Sequence, residues 1–135
     1  MNYRSIQTTC PYCGCGCGAL LQVIDDKLVK VLPSKSSPVN HGALCIKGWN
    51  MHEFVNNPKR ITKPLIRKDG KLQECEWDEA LDTVAGKLKA IKDEHGPDAI
   101  GAFSSAKCTN EDNYLMQKFI RAGVGTNSID HCARL

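Results

Sequence analysis

Apolar residues fall into two patterns along the chain: short continuous runs in the first half and helically spaced stripes in the second. Residues 19–24 (Ala-Leu-Leu-Gln-Val-Ile) and 28–32 (Leu-Val-Lys-Val-Leu) have strand length and are separated by Asp25-Asp26-Lys27, which predicts a β-hairpin over 19–32. A loop rich in Ser, Pro and Asn follows over 33–41, and 46–55 reads as a short helix weakened by Gly48. A second hairpin is predicted where 65–68 and 71–76 flank Asp69-Gly70, a pair that readily takes the positive φ angles of a tight turn. Ala80, Leu81, Val84, Leu88 and Ile91 then recur at helical spacing, which predicts a helix over 77–95 stopped by Gly96-Pro97. Residues 99–103 are a candidate buried strand. Thr109 and Asp112 have the spacing of a helix cap, ahead of a helix carrying Leu115, Phe119 and Ala122 on one face and stopped by Gly123 or Gly125.

The order of elements changes near 56–64, where Asn56-Asn57-Pro58 and Lys63-Pro64 interrupt the periodic segments. The expected organisation is a cysteine-rich α+β subdomain over 1–60, followed over 61–135 by helix, strand, helix, strand. That second pattern is the beginning of an α/β domain whose remaining strands lie outside this chain, so the fold class is α/β. There is no internal repeat and no low-complexity tract.

A chain of 135 residues with 41% hydrophobic content buries roughly two thirds of its unfolded surface and has no need of cross-links. Its eight cysteines therefore require another explanation. The 18 Lys and Arg against 15 Asp and Glu leave a formal charge of +3, scattered along the chain, which argues against a nucleic-acid partner. No run approaches the roughly 18 apolar residues of a membrane-spanning helix. The start, Met1-Asn2-Tyr3-Arg4-Ser5, lacks a charged region followed by an apolar one, so a cytoplasmic location is expected. In that reducing compartment clustered thiols are metal ligands or catalytic groups before they are disulfides.

Cys10, Cys13, Cys15 and Cys17 lie within eight residues, and Cys45 follows after a hairpin long enough to fold back toward them. A [4Fe-4S] cube needs four thiolates, one for each iron, converging from a loop whose backbone can wrap an inorganic core; Gly14, Gly16 and Gly18 permit that approach. The chosen ligands are Cys10, Cys13, Cys17 and Cys45. Cys15 is left out because C-x2-C-x3-C reaches around a cube more readily than two ligands separated by one glycine. The competing reading is a structural zinc site drawing a nitrogen from His41 or His52, although a second C-x2-C or H-x3-H knuckle is missing. A disulfide framework ranks third. Cys75 and Cys132 read as small buried hydrophobes, while Cys108 falls in a strand-to-helix loop of the kind that binds ligands in α/β folds. His95 reads as a solvent-facing residue at a helix C-terminus. Lys47, two residues past the fourth ligand, is either a donor at the edge of the cluster or a solvated surface lysine.

Thr8-Thr9-Cys10-Pro11-Tyr12-Cys13, then Cys17-Gly18, then Gly42-Ala43-Leu44-Cys45-Ile46-Lys47-Gly48 resembles the cluster domain at the start of molybdopterin oxidoreductases. The run from Ser104 to Tyr114, and above all Asp130-His131-Cys132-Ala133-Arg134-Leu135, is similar to the catalytic subunits of formate dehydrogenases. The cluster motif alone is shared with nitrate reductases, so the two later segments carry the specificity for formate.

The resemblance implies an oxidoreductase interconverting formate and CO2, with a bis(molybdopterin guanine dinucleotide) cofactor holding Mo or W and a [4Fe-4S] cluster as electron outlet. Lys47 matches the family lysine between cluster and pterin and is assigned an electron-relay role. Lys107 stands where the family often has Arg; it keeps the charge but not the planar fork. Asn110 is a further candidate cofactor contact. Implied partners are iron-sulfur or flavin electron-transfer subunits. The family's metal ligand, Cys or selenocysteine, follows the position matching Leu135, which leads to the expectation of a UGA codon for selenocysteine read as a stop, or of a fragment end. The 135 residues alone are expected to be inactive. The alternatives are another enzyme of the same cofactor family such as assimilatory nitrate reductase, a ferredoxin-type electron carrier, and a zinc-stapled interaction domain.

Overall fold

The computed structural model describes residues 1–132. It is a mixed α/β structure whose elements, in order, are β1 (Tyr3–Thr9), β2 (Gly18–Ile24), β3 (Lys27–Pro33), α1 (Ile46–Trp49), α2 (Met51–Val55), β4 (Leu65–Lys68), β5 (Lys71–Glu74), α3 (Trp77–His95), β6 (Ala102–Ser105), α4 (Asn110–Lys118) and β7 (Ile129–Cys132). Residues group into two compact units. One holds Met1–Arg60, Ser105–Tyr114 and Cys132, and the other holds Ile61–Ser104 and Leu115–His131. Among the described residues no helix is long and apolar enough to cross a membrane.

The first unit is built on an antiparallel sheet in the order β1-β2-β3. The hairpin of β2 and β3 forms where the apolar runs predict it, and Ile24 pairs with Lys27 across a two-residue turn. Both turn residues, Asp25 and Asp26, have positive φ (46° and 63°), the twist that a two-residue hairpin needs. Strand β1 escapes the sequence reading because six of its seven residues are exposed, so no apolar alternation marks it. Its pairing partner β2 supplies what its own sequence lacks, with Thr9 opposite Gly18 and Tyr3 opposite Ile24. Cys10, Ala19, Val31 and Met51 form the core of this unit, and Tyr12, Cys17, Leu21 and Leu44 pack against it. The predicted helix at 46–55 is broken in two at Asn50 (φ −105°, ψ 13°). Gly48 is buried on Leu44, where a Cβ would lie 3.1 Å from Cδ2, so its smallness serves packing at the expense of helix continuity.

In the second unit β4 and β5 pair through Asp69-Gly70, both at positive φ, as the sequence predicts. Helix α3 has the predicted bounds and ends on Gly96 at φ 82°. The strand expected at 99–103 begins later, because Pro97–Ala99 turns as a short 3-10 helix before β6 starts at Ala102. Ile100, Ile120 and Val124 form the core, with Leu88, Ala102 and Ile129 packed against them. None of the residues of α3 is fully buried, and Leu81 and Val84 remain more than half exposed.

The cap at Thr109 and Asp112 is reciprocal: Asp112 N–H donates to Thr109 Oγ1 at 3.1 Å and Thr109 N–H to Asp112 Oδ2 at 3.2 Å. The helix predicted to continue through Ala122 widens to π-helical bonding over Phe119–Val124, and Gly125 at φ 96° ends it. Strands β6 and β7 are parallel, since Ala102 N–H donates to the Ser128 carbonyl and Ala106 N–H to the Cys132 carbonyl, advancing together along both chains. Cys75 is buried as expected, with its Sγ 3.6 Å from the Pro64 carbonyl. Cys132 is exposed, against expectation, because it lies at the end of β7 where the described sheet has only two strands. The expected motif at the chain's end falls partly on residues 133–135, outside the described residues.

Candidate metal centre

The clustered thiols occupy the turn of a hairpin. Thr9 and Gly18 are the last pair of the β1–β2 ladder, and beyond it Cys10 N–H donates to the Cys17 carbonyl at 2.8 Å. Residues 10–17 therefore form a loop closed at its neck by the sheet itself. Inside it Gly16 takes φ +74°, a backbone conformation that costs a residue with a Cβ about 1–2 kcal/mol.

Cys45 is brought to this loop by Asn40. Its side-chain oxygen accepts from Gly18 N–H at 2.8 Å, and its amide donates to the carbonyls of Gly18 (3.1 Å) and Ala43 (2.6 Å). One side chain thus ties the neck of the thiol loop to the segment that ends in Cys45. Ser37 Oγ also accepts from Gly18 N–H at 3.3 Å, and a Cβ at Gly18 would lie 2.6 Å from that of Ser37. Only glycine allows this approach. Cys45 stands at the start of α1 with extended backbone (φ −74°, ψ 170°).

A cavity of about 320 Å³ opens among these residues. Cys10, Cys13, Cys15, Cys17 and Cys45 all line it, as do Lys47 and Lys107. Six residues singled out by the sequence thus share one hollow, the four chosen cysteines and both lysines, and Cys15 shares it with them. Asn110 is not among the lining residues; its amide donates to the Gly14 carbonyl at 2.9 Å and so holds the loop from outside. A larger hollow of about 470 Å³ lies against α3 and is lined by apolar residues and two lysines, with no ligand chemistry of its own.

The five cysteines of the cavity are thiols, none in a disulfide. Desolvation pushes Cys17 up to about 11, and the contact with Cys15, whose Sγ is 3.5 Å away, adds to it. The backbone N–H groups of Gly48 and Lys47 hold Cys45 below the ordinary thiol range. The donor set is thus sulfur throughout, and metal binding at it would displace thiol protons. A single tetrahedral zinc ion needs its donors about 2.3 Å from one point. Among the described residues no three His, Cys, Asp or Glu side chains are gathered closely enough to hold one ion, and neither His41 nor His52 lines the cavity. Thiols spread around a hollow suit a cube, which offers each its own iron.

Asn40 is the residue that sequence reasoning missed. Its only signal was its place in a Ser-Pro-Asn-rich loop, where Asn side chains commonly bond nearby backbone.

Comparison with known proteins decides the family. The model of the molybdopterin oxidoreductase Fe4S4 domain matches residues 3–57, and that of the molybdopterin oxidoreductase domain matches residues 60–135. The chain belongs to the molybdopterin oxidoreductases. As a molybdopterin oxidoreductase it carries the domains associated with a [4Fe-4S] cluster and a molybdopterin cofactor, and its sulfur-lined cavity fits the first of these.

Among relatives of this molybdopterin oxidoreductase, the F420-dependent formate dehydrogenase 1 subunit alpha of Methanococcus maripaludis is 55% identical over 135 residues, 100% of this chain and 19% of that protein. The F420-dependent formate dehydrogenase subunit alpha of Methanocaldococcus jannaschii is 49% identical over the same length, again 19% of that protein. The chain therefore spans about a fifth of the curated relatives it matches. Among solved structures, acetylene hydratase from Pelobacter acetylenicus superposes with a TM-score of 0.71 at 23% identity, over 93% of this chain and 18% of that one. That likeness concerns the fold alone.

Proposed function

We propose that the chain is the cluster-bearing portion of a formate dehydrogenase catalytic subunit, interconverting formate and CO2 in the cytoplasm. The observation that carries this reading is the single cavity shared by Cys10, Cys13, Cys17, Cys45, Lys47 and Lys107, in a chain half identical over its whole length to subunits named as formate dehydrogenases. Cys10, Cys13, Cys17 and Cys45 hold the cluster through their thiolates. When bound, the Mo- or W-pterin supplies the two-electron chemistry on formate and the cluster takes the electrons onward.

The chain's own residues position and tune. Cys10 is fixed by its packing in the core and Cys45 by the bonds of Asn40, so the two ends of the ligand set are set by the polypeptide. Lys47 lines the cavity two residues after Cys45 and places a positive charge beside the thiolates, where it favours the more reduced, more negative cluster. Lys107 adds a second positive charge from the β6–α4 loop and is the residue assigned to the pterin. Asn110 acts on the cluster side, holding the thiol loop at Gly14 from outside the cavity. An iron-sulfur or flavin subunit receives the electrons.

The reading is tested on the full-length subunit by formate-dependent and nitrate-dependent dye turnover. Formate activity with iron and sulfide in the ratio of a cube supports it. Nitrate activity moves the protein to another branch of the family, and zinc in place of iron with a featureless visible spectrum removes the cluster.

A further inference from the structure

We propose that Cys15 is a reserve ligand of the cluster site, able to take the iron held by Cys17 when that bond is lost. The proposal rests on the assignment of Cys10, Cys13, Cys17 and Cys45 as ligands and goes beyond it, since that assignment leaves the fifth thiol without a purpose.

Three features support it. The Sγ atoms of Cys15 and Cys17 are 3.5 Å apart, in contact, so a sulfur replacing its neighbour travels no farther than one sulfur diameter. Both line the same cavity, and Cys15 is the more exposed of the two. The residue between them is Gly16, at φ +74° with nothing within 4 Å of the position its Cβ would take, so this part of the loop has open space in which to turn.

The loop is nevertheless held on either side of the exchangeable pair. Asn110 fixes the Gly14 carbonyl, and Asn40 with Ser37 fixes Gly18. The Cys17 carbonyl is held as well, by Cys10 N–H, so movement is confined to 15–16 and the Cys17 side chain, and the local concentration of the reserve thiol at the vacated iron stays high. The exchange balances without electron transfer. The bond from iron to Cys17 sulfur breaks and one to Cys15 sulfur forms; the Cys15 thiol gives up its proton and the released Cys17 thiolate takes one up.

The chain is reconstituted anaerobically with ferrous iron and sulfide, and iron per chain and the electron paramagnetic resonance of the reduced protein are measured. Wild type and Cys15→Ser should both bind about four irons. Cys17→Ser should keep at least about half of that iron with a shifted resonance, because a different sulfur now serves one iron, while Cys15→Ser combined with Cys17→Ser should keep less than about a tenth. Iron in Cys17→Ser as low as in the double variant overturns the proposal. A second comparison does not depend on Cys17→Ser folding: Cys15→Ser should release iron to a chelator about threefold faster than wild type, for want of a rebinding thiol. Equal release rates overturn the reserve role. Iron lost outright in Cys15→Ser overturns it too, by making Cys15 a primary ligand, and a wild-type chain that takes up no iron instead sinks the ligand assignment on which the proposal rests.

Discussion

The side-chain amide of Asn110 donates to the Gly14 carbonyl at 2.9 Å, joining the start of α4 to the thiol loop across 96 positions of sequence. A Cβ at Gly14 would lie 2.7 Å from Asn110 Oδ1, so a larger residue there would have to push aside the amide that braces the loop.

From this contact, Gly14→Ala and Asn110→Ala should break one and the same brace. Each is expected to cost about 1 kcal/mol of unfolding free energy, and the double variant should cost little more than either alone. Urea unfolding of the four chains checks this; full additivity would separate the two residues.

Asn40 carries more bonds and should matter more. Asn40→Ala removes the nearer acceptor of Gly18 N–H and one donor to each of the Gly18 and Ala43 carbonyls, which predicts a loss of about 2–3 kcal/mol and slower iron uptake. Gly18→Ala meets Ser37 Cβ at 2.6 Å and should destabilise the same neck by a comparable amount, about 1–3 kcal/mol. Iron uptake unchanged in both variants would show that the neck does not shape the site.

Lys47→Ala should leave the cluster assembled and slow the passage of electrons from pterin to cluster, since it takes away a positive charge without removing a ligand. A slowing of about tenfold, equivalent to about 1.4 kcal/mol in the barrier, is expected in stopped-flow reduction of the full-length enzyme by formate. A rate equal to wild type returns Lys47 to the surface.

The cap of α4 gives a prediction confined to folding. Thr109→Ala removes the hydroxyl that accepts from Asp112 N–H and should cost about 1 kcal/mol, while Thr109→Ser should restore nearly all of it. Thermal unfolding followed by circular dichroism distinguishes the two.

Several parts of this architecture could be read from local sequence, and the reasons are local too. The two hairpins announce themselves because Asp25-Asp26 and Asp69-Gly70 tolerate positive φ, and α3 because its apolar stripe repeats at helical spacing. Strand β1 was invisible because its stability comes from β2 and not from any burial of its own. The cysteine spacing marked a metal site, yet the device that delivers Cys45 to it, Asn40 bonded to Gly18, joins residues 22 apart and leaves no pattern along the chain. The exposure of Cys132 was missed for a related reason, because burial of a strand end depends on neighbours that sequence periodicity does not specify.

Helix α3 has no fully buried residue; besides Leu88 packed on the core of its unit, it relies on its own backbone ladder and on pairs such as Lys89 with Asp93 at 2.7 Å. Ladders of that kind open and close readily when little tertiary packing opposes fraying. Amide protons along α3 should therefore exchange with deuterium well before those of β2, whose ladder is bonded on both sides. The chain would then have two clocks, a fast one in the long helix and a slow one in the sheet whose hairpin turn carries the thiols.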